Sequence, residues 1–399
     1  MPDVSFNGLV IVAAVAFAAP LLLGLSPKVR LPTVVLEILV GILIGPSGLG
    51  WVKPDLPIQV LSVVGLGFLL FLAGLEVDLG HLRGRLVRRP LLGFVLSLGI
   101  GLGVGLILRA AGEVRSPLLI GITLVATSLG LVVPVLKDAG VAATDFGQLV
   151  IAGGTVADFG AVILLTLFFS GQAGGLGTKL LLLALFVLMI VAAGVSVARA
   201  GHSMRLSQVL LRLQDTTAQI RVRGAVLLLI AFVAIAARFG LETILGAFLA
   251  GVVLGLVDRD PSMTHPQFRV KLEGIGYGFL IPVFFVSNGL TFDLHALFSS
   301  PSTVLRTPLF LVLLLAVRGI PALLYRPLVG GRRTVAAALL QATSLPFLVV
   351  ATRIGVSLGL VSAANAAALV AAGLLSVVIF PLVALGLLKQ QVQKEAMTP

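Results

Sequence analysis

One acidic residue lies in the middle of a long apolar segment. The run FGQLVIAGGTVADFGAVILLTLFFS at 146–170 carries Asp158 as its single charge, twelve residues from either end. In a helix, that carboxylate would lie roughly 18 Å from both ends. Placing Asp at the centre of a membrane-spanning helix costs on the order of 2.5–3.5 kcal/mol on insertion scales. Asp158 is therefore a candidate functional residue, and a structural ion pair between helices is the alternative.

Hydroxyl side chains interrupt two other apolar runs at matching places. The segments ATSLGLVVPV (126–135) and ATSLPFLVVA (342–351) each lie in the middle of a predicted span. We expect both helices to break there, because freed carbonyls, hydroxyls and half-helix ends could then bind a cation. Back-bonding of Ser and Thr within unbroken helices is the alternative. The residues expected to form the two breaks are Thr127, Ser128 and Gly130 in the first segment and Thr343, Ser344 and Pro346 in the second.

A single basic residue falls inside the predicted spans. Of 28 Lys and Arg residues, Arg318 alone cannot be placed in a loop, so by elimination it would compensate the charge of Asp158. Arg keeps its proton in proteins and cannot itself carry a transported proton. Glu37 and Glu76 are the other buried acids; either could be a structural ion-pair partner of Arg318 instead.

Composition defines the elements that must position these residues. The chain is 58% hydrophobic and 11% charged, whereas soluble domains are about 25% charged. It is predicted to be an all-α polytopic membrane protein with about 13 transmembrane helices, the seventh at 179–199. With no cysteine and four dispersed histidines, no cofactor and no metal beyond transported ions is expected.

The basic excess follows the predicted topology. Assigned to alternate sides of the membrane, twenty Lys and Arg residues fall on one side and seven on the other. The positive-inside rule makes the first side cytoplasmic, with the N-terminus outside and the C-terminus inside. The net charge of +12 therefore does not indicate nucleic-acid binding.

The sequence also repeats itself. LPTVVLEILVGILIG (31–45) aligns with LETILGAFLAGVVLG (241–255), and AGLEVDLGHL (73–82) aligns with NGLTFDLHAL (288–297). With the two ATSL segments, the offsets are 210, 215 and 216 residues. The copies start seven predicted spans apart, so the second would enter the membrane from the opposite side. Two inverted-topology repeats with crossed, broken helices are typical of secondary transporters with a site at the membrane midplane.

Five motifs resemble those of the monovalent cation:proton antiporters, in the Kef- and Nap-like branch. They are RLPTVVLEILVGILIGPSGLG (30–50), LGFLLFLAGLEVDL (66–79), ATSLG (126–130), LGAFLAGVVLG (245–255) and LIPVFFVSNGL (280–290). The resemblance covers nearly the whole chain. It implies a Na+/H+ antiporter-like fold, a homodimer, and a core domain that moves like an elevator. It further implies that Asp158 binds ion and proton alternately and that Arg318 is the basic residue of the eleventh helix.

Two departures from that family pattern bear on mechanism. Members that move net charge often have a second acid just before the essential one, and this chain has Ala157 there. One cycling acid and a fixed Arg predict electroneutral, one-for-one exchange. The acid of the family's twelfth-helix motif is also absent, because QATSLPF (341–347) occupies its place.

The sequence thus predicts a non-enzymatic transporter of the bacterial inner membrane that exchanges Na+ or K+ for H+. Thr127, Ser128 and Thr155 are the expected oxygen ligands beside Asp158. A sodium-coupled symporter of an organic anion and a gated K+ pathway are the rivals, and regulation by a separate subunit stays open. The expected organisation is scaffold helices at 1–86 and 223–300, core helices at 87–172 and 301–390, a linker at 173–222 and a tail at 391–399.

Overall fold

The computed structural model is all-helical. It describes residues 6–25, 33–76, 85–169, 216–258 and 267–396, with parts of 177–192. A π-helical turn, Gly276–Leu280, and a 3₁₀ segment, Pro321–Tyr325, connect helices in the second half. The α-helices, numbered through the described residues, are α1 (Asn7–Leu25), α2 (Thr33–Ile44), α3 (Leu56–Glu76), α4 (Arg85–Ala110), α5 (Pro117–Val125), α6 (Leu129–Asp138), α7 (Asp145–Phe169), α8 (Ile220–Arg238), α9 (Thr243–Asp258), α10 (Phe268–Ile275), α11 (Ile281–Leu290), α12 (Leu294–Leu297), α13 (Pro301–Gly319), α14 (Arg326–Val329), α15 (Gly331–Gln341), α16 (Pro346–Ser357) and α17 (Ala363–Ala396).

Membrane-spanning helices account for most of the described chain. Eight are long and apolar enough to cross a bilayer, and α15 with α16, bent by 42°, makes a ninth if counted as one span. Shorter apolar helices occupy Thr33–Ile44, Pro117–Val133 and Thr243–Leu256. The prediction of an all-helical, multi-pass membrane protein is confirmed. The predicted span at 179–199 lies mostly outside the described residues, so the count of about thirteen stays a prediction.

Ser-Pro pairs begin two of the helices. Ser116 accepts a hydrogen bond from the amide of Leu119 at the start of α5, and Ser300 accepts one from the amide of Thr303 at the start of α13. In both, Pro follows directly at the first helical position, where its missing N–H removes no intrahelical bond. Local sequence therefore fixes where these two apolar helices begin.

The chain divides into two compact units. The first comprises Met1–Ala16, Pro54–Leu79 and Leu165–Ser287, and the second Phe17–Lys53, Gly80–Leu164 and Asn288–Pro399. The second unit contains both ATSL segments, Asp158 and Arg318. It also includes residues 17–53, which the sequence groups with the first-repeat scaffold.

Closely packed glycines join helices within each unit. In the first unit, a Cβ on Gly74 of α3 would clash with the carbonyl oxygen of Phe248 in α9. In the second unit, a Cβ on Gly289 of α11 would clash with the carbonyl oxygen of Ile38 in α2. Gly74 and Gly289 are equivalent in the internal alignment, and so are Phe248 and Ile38. The two halves of the sequence therefore make the same backbone contact with equivalent residues.

Candidate functional site

Two helices of the second unit are interrupted at the ATSL segments. α5 ends at Val125 and α6 begins at Leu129, with Ala126 in an extended conformation (φ −66°, ψ 146°). α15 ends at Gln341, and α16 begins at Pro346 after a non-helical stretch. Pro346 occupies the first helical position, which proline favours. Both interruptions lie where the sequence predicted them.

Gly130 does not take part in the first interruption. It is the second residue of α6 and is helical, and its φ is not positive. The extended backbone at Ala126 ends α5 without a glycine, because an extended residue needs no special φ. The expectation that Gly130 helps to break this helix is therefore not met.

The two interruptions are hydrogen-bonded to each other. The amide of Ser128 donates to the carbonyl of Thr343 at 2.9 Å. The hydroxyl of Thr127 donates to the carbonyl of Gln341 at 2.7 Å. These bonds satisfy backbone groups that the broken helices leave without intrahelical partners. The two breaks consequently form a single cross-linked junction.

The second interruption is also tied to α17. The amide of Ser344 donates to Ser376 Oγ at 3.2 Å, and the Ser376 hydroxyl lies 3.2 Å from the Ser344 carbonyl. The Ser344 hydroxyl is fully buried and has no hydrogen-bond partner among the described residues. Ser344 thus anchors the junction through its main chain.

Asp158 of α7 accepts hydrogen bonds from the first interruption. Its Oδ1 accepts from the amide of Thr127 at 3.1 Å, and its Oδ2 accepts from the amide of Leu129 at 3.3 Å. Leu129 is the first residue of α6, so the carboxylate faces the positive end of that helix dipole. Thr155 lies one helical turn before Asp158 and is buried, with 4% of its surface exposed. The structure therefore places the Asp158 carboxylate against the main chain of the first interruption, with Thr155 on the same helix.

Arg318 lies in the last turn of α13 and is 2% exposed. Its guanidinium donates to Thr127 Oγ1 at 3.0 Å, to Ser97 Oγ at 3.3 Å and to the Gly153 carbonyl at 3.2 Å. A longer bond, 3.4 Å, reaches the carbonyl of Gln341 at the C-terminal end of α15. A cation at this position complements the negative end of a helix dipole. Thr127 is hydrogen-bonded both to this guanidinium and to the Asp158 carboxylate.

The hydroxyls differ in their freedom to bind a cation. Thr127 Oγ1 already donates to a carbonyl and accepts from a guanidinium, and a cation there would meet the positive charge of Arg318. In this geometry the hydroxyl holds the junction together. Ser128 and Thr155 are also buried, and their hydroxyls make none of the hydrogen bonds described for the junction. The roles of Thr127, Ser128 and Thr155 as cation ligands beside Asp158 stay predictions.

The two remaining acids occupy different surroundings. Glu37 lies on α2, is 3% exposed and has no hydrogen-bond or ion-pair partner in the described ranges. Glu76 is the last residue of α3 in the first unit, whereas Arg318 belongs to the second. A role for either acid as the partner of Arg318 stays a prediction.

Sequence reasoning missed three polar residues of the junction, namely Ser97, Tyr325 and Gln341. Gln341 Nε2 donates to the Tyr325 hydroxyl at 3.0 Å, and both residues are buried. Each is an uncharged polar residue within an apolar run, which is a weak signal that many structural residues share. The position of Gln341 directly before ATSL was the one clue to its place at the break.

A multi-pass helical protein with two interrupted helices joined beside a carboxylate has the architecture of a secondary transporter. A family model described as sodium/hydrogen exchanger, transmembrane, matches residues 13–389. The chain therefore belongs to the sodium/hydrogen exchangers, within the monovalent cation:proton antiporter family, as the sequence predicted.

Individual relatives agree with this family. YjbQ of Bacillus subtilis strain 168, whose name groups it with Na+/H+ antiporters, is 32% identical over 99% of this chain and 65% of its own length. GerN of Bacillus cereus, a Na+/H+-K+ antiporter, is 32% identical over 71% of each chain. The chain thus spans about two thirds of the length of YjbQ, since 65% of that relative is covered.

A solved structure shows the same fold. The sodium proton antiporter MjNhaP1 from Methanocaldococcus jannaschii, determined at pH 8, superposes with a TM-score of 0.64 over 98% of both chains. At 15% identity, this likeness concerns the fold alone. It confirms the predicted antiporter-like architecture at the level of overall helix arrangement.

Proposed function

We propose that the protein exchanges a monovalent cation, Na+ or K+, for H+, with Asp158 as the site that both ions occupy in turn. The observation that carries this proposal concerns the carboxylate of Asp158. It accepts hydrogen bonds from the amides of Thr127 and Leu129, at the interruption between α5 and α6. An acid beside a helix break within a membrane protein can release a proton and accept a cation in its place. The names of YjbQ and GerN support both Na+ and K+ as substrates.

Coupling follows from mutual exclusion at that carboxylate. The deprotonated acid binds the cation together with the hydroxyls of Ser128 and Thr155, and protonation neutralises the acid instead. Either occupancy removes the negative charge, so the site can cross the membrane core. The empty, charged site crosses poorly, because moving a net charge into a low-dielectric region is costly.

The site is expected to exchange one cation for one proton, which moves no net charge across the membrane. Ala157 provides no second acid next to Asp158, and Arg318 keeps its proton. The guanidinium is also engaged by neutral oxygens of the junction. One carboxylate therefore carries either one proton or one monovalent cation.

The transport movement is an elevator-like displacement of core helices, at 87–172 and 301–390, against scaffold helices. Inverted-topology repeats, with about thirteen spans and the N-terminus outside, provide the two alternating faces. Support comes from the equivalent glycine contacts and from helices that start at the equivalent residues Thr33 and Thr243. The protein acts as a homodimer in the bacterial inner membrane.

Symport of an organic anion fits this site less well. It requires cationic groups that face the substrate, whereas the N–H groups of Arg318 are directed at oxygens of the protein. A gated K+ pathway without proton coupling is the other rival. It predicts that ion flux survives the replacement Asp158→Asn, which the exchange mechanism does not.

The test is proton flux in sealed proteoliposomes that contain a pH dye, on external addition of Na+ or K+. The wild type is compared with Asp158→Asn and with Asp145→Asn, a control at the exposed start of the same helix. We expect a response to at least one cation that clamping the voltage does not change. The response should be absent in Asp158→Asn and retained in Asp145→Asn. Full activity of Asp158→Asn would remove that residue from the mechanism.

A further inference from the structure

A buried side-chain pair, Tyr325 and Gln341, lies next to the second interruption. Tyr325 ends the 3₁₀ segment Pro321–Tyr325, and Gln341 is the last residue of α15. The Gln341 amide donates to the Tyr325 hydroxyl at 3.0 Å, and the two residues are 2% and 1% exposed, respectively. An amide this deeply buried needs its partner, because an unsatisfied polar group in the interior is destabilising.

The main chain of Gln341 connects this pair to the candidate site. Its carbonyl accepts from the Thr127 hydroxyl at 2.7 Å and from Arg318 Nε at 3.4 Å. The amide of Thr127 in turn donates a hydrogen bond to the Asp158 carboxylate. Three hydrogen bonds therefore lead from the Tyr325 hydroxyl to the carboxylate, and each involves a buried or half-buried group.

The surroundings leave the pair little freedom to rearrange. A Cβ on Gly153 of α7 would clash with Gln341 Nε2 and would lie 2.7 Å from the Tyr325 hydroxyl. The aromatic ring of Tyr325 belongs to a buried apolar cluster that includes Val132 of α6 and Phe146 of α7. The hydroxyl is thus fixed by packing, and it can define the position of the Gln341 side chain.

We propose that Tyr325 and Gln341 are positioning residues for the exchange site. Their hydrogen bond fixes the end of α15, so that the Gln341 carbonyl holds the Thr127 hydroxyl and keeps the Thr127 and Leu129 amides directed at Asp158. Neither side chain has a described contact with the carboxylate itself, and both act through Thr127. This inference rests on the proposed exchange function and adds two residues to it.

The effect on transport follows from the charge of the site. If the amides are less well directed, the charged form of the site loses part of its stabilisation. Half-maximal exchange then moves to higher pH, by roughly 0.4 to 1 unit for the loss of about one hydrogen bond. A purely structural role would lower the amount of folded protein without moving this midpoint.

The experiment compares Tyr325→Phe, Gln341→Met and the double variant in proteoliposomes across a pH series. Tyr325→Phe removes only the hydroxyl, and Gln341→Met keeps the length of the side chain. We expect both single variants to shift the midpoint to higher pH, and the double variant to shift it no further than the larger single shift, because the two residues act as one unit. Thr352→Val is the matched control, since the Thr352 hydroxyl is buried and bonded only within its own helix, α16.

A second measurement does not depend on transport. Hydrogen–deuterium exchange of a peptide that covers residues 124–131 should be faster in Tyr325→Phe and Gln341→Met than in the wild type and in Thr352→Val. Unchanged midpoints with unchanged amide protection, or additive shifts in the double variant, overturn the inference. A wild type that shows no cation-dependent proton flux overturns the proposed function instead, and amide protection then still decides whether the pair positions the junction.

Discussion

Replacing Thr127 by Val separates a positioning role from a ligand role. The change removes one hydroxyl and keeps both the side-chain volume and the amide that donates to Asp158. The hydroxyl donates to the Gln341 carbonyl at 2.7 Å and accepts from Arg318 Nε at 3.0 Å. Thr127 is 2% exposed, so water does not readily replace these partners.

The expected loss of stability can be worked from those two bonds. A neutral hydrogen bond contributes about 0.5–1.5 kcal/mol and one to a charged group about 1.5–3 kcal/mol. Measured values between membrane helices are smaller, about 0.6 kcal/mol on average. Arg318 also keeps its bonds to Ser97 and Gly153. We therefore expect Thr127→Val to lower the unfolding free energy by about 2 kcal/mol.

The assay is reversible unfolding in detergent micelles, paired with the cation KM measured well above the pH midpoint of exchange. Thr127→Ser, which keeps the hydroxyl, is the control for stability. Ser128→Ala is the comparison for binding, because it removes an oxygen expected to contact the cation. Thr127→Val should leave KM within about twofold of the wild type, whereas Ser128→Ala should raise it several-fold.

The opposite pattern would refute this reasoning. If Thr127→Val left stability unchanged within about 0.5 kcal/mol and raised KM roughly tenfold, the hydroxyl would be a cation ligand, as the sequence first suggested. An unchanged KM in Ser128→Ala would strengthen that conclusion. The two variants together thus decide which hydroxyl faces the ion.

Two further predictions concern packing and surface charge. Gly74→Ala should destabilise the protein by about 1–3 kcal/mol in detergent unfolding, because its Cβ would clash with a backbone carbonyl; Gly67→Ala on the same helix has open space and should be neutral or slightly stabilising. Equal changes in stability for Gly74→Ala and Gly67→Ala would contradict the close contact between Gly74 and the Phe248 carbonyl. Arg306→Gln removes an ion pair to Glu113 at 2.8 Å whose side chains are 23% and 28% exposed, so we expect a loss of no more than about 1 kcal/mol that shrinks in high salt. A large, salt-independent loss would show that hydrogen bonds rather than charge dominate there.

Local patterns allowed the helices and their interruptions to be predicted from the sequence. Hydrophobic runs of membrane length identify the spans, and the paired ATSL segments identify the breaks. In the second segment, Pro346 cannot continue a helix from the preceding residues. The prediction that Gly130 contributes to the first break was wrong, because Gly130 lies in the first turn of α6. A glycine in the first turn of a helix is tolerated, so its presence does not mark the position of a break.

The partners of the charged residues could not be predicted in the same way. The sequence isolates Arg318 as a buried cation, but three of its acceptors, Ser97, Thr127 and Gly153, come from α4, the first break and α7. Two of these residues look like ordinary members of apolar runs. Only the tertiary arrangement shows that a carbonyl and a hydroxyl there accept from the guanidinium, because hydrogen-bond partners leave no spacing pattern in the chain.

The helix ends at the junction explain how Asp158 and Arg318 can be stable there. Asp158 faces the amino end of α6, where unpaired amides carry partial positive charge, and Arg318 faces the carboxyl end of α15, where carbonyls carry partial negative charge. Each charged side chain is thus compensated by a helix dipole of opposite sign. In the proposed mechanism Arg318 therefore need not neutralise Asp158 directly, and the charge of the carboxylate attracts the cation. In the proposed exchange at a single acid, a direct ion pair would compete with the transported ion, and Thr127 is the residue hydrogen-bonded to both charged groups.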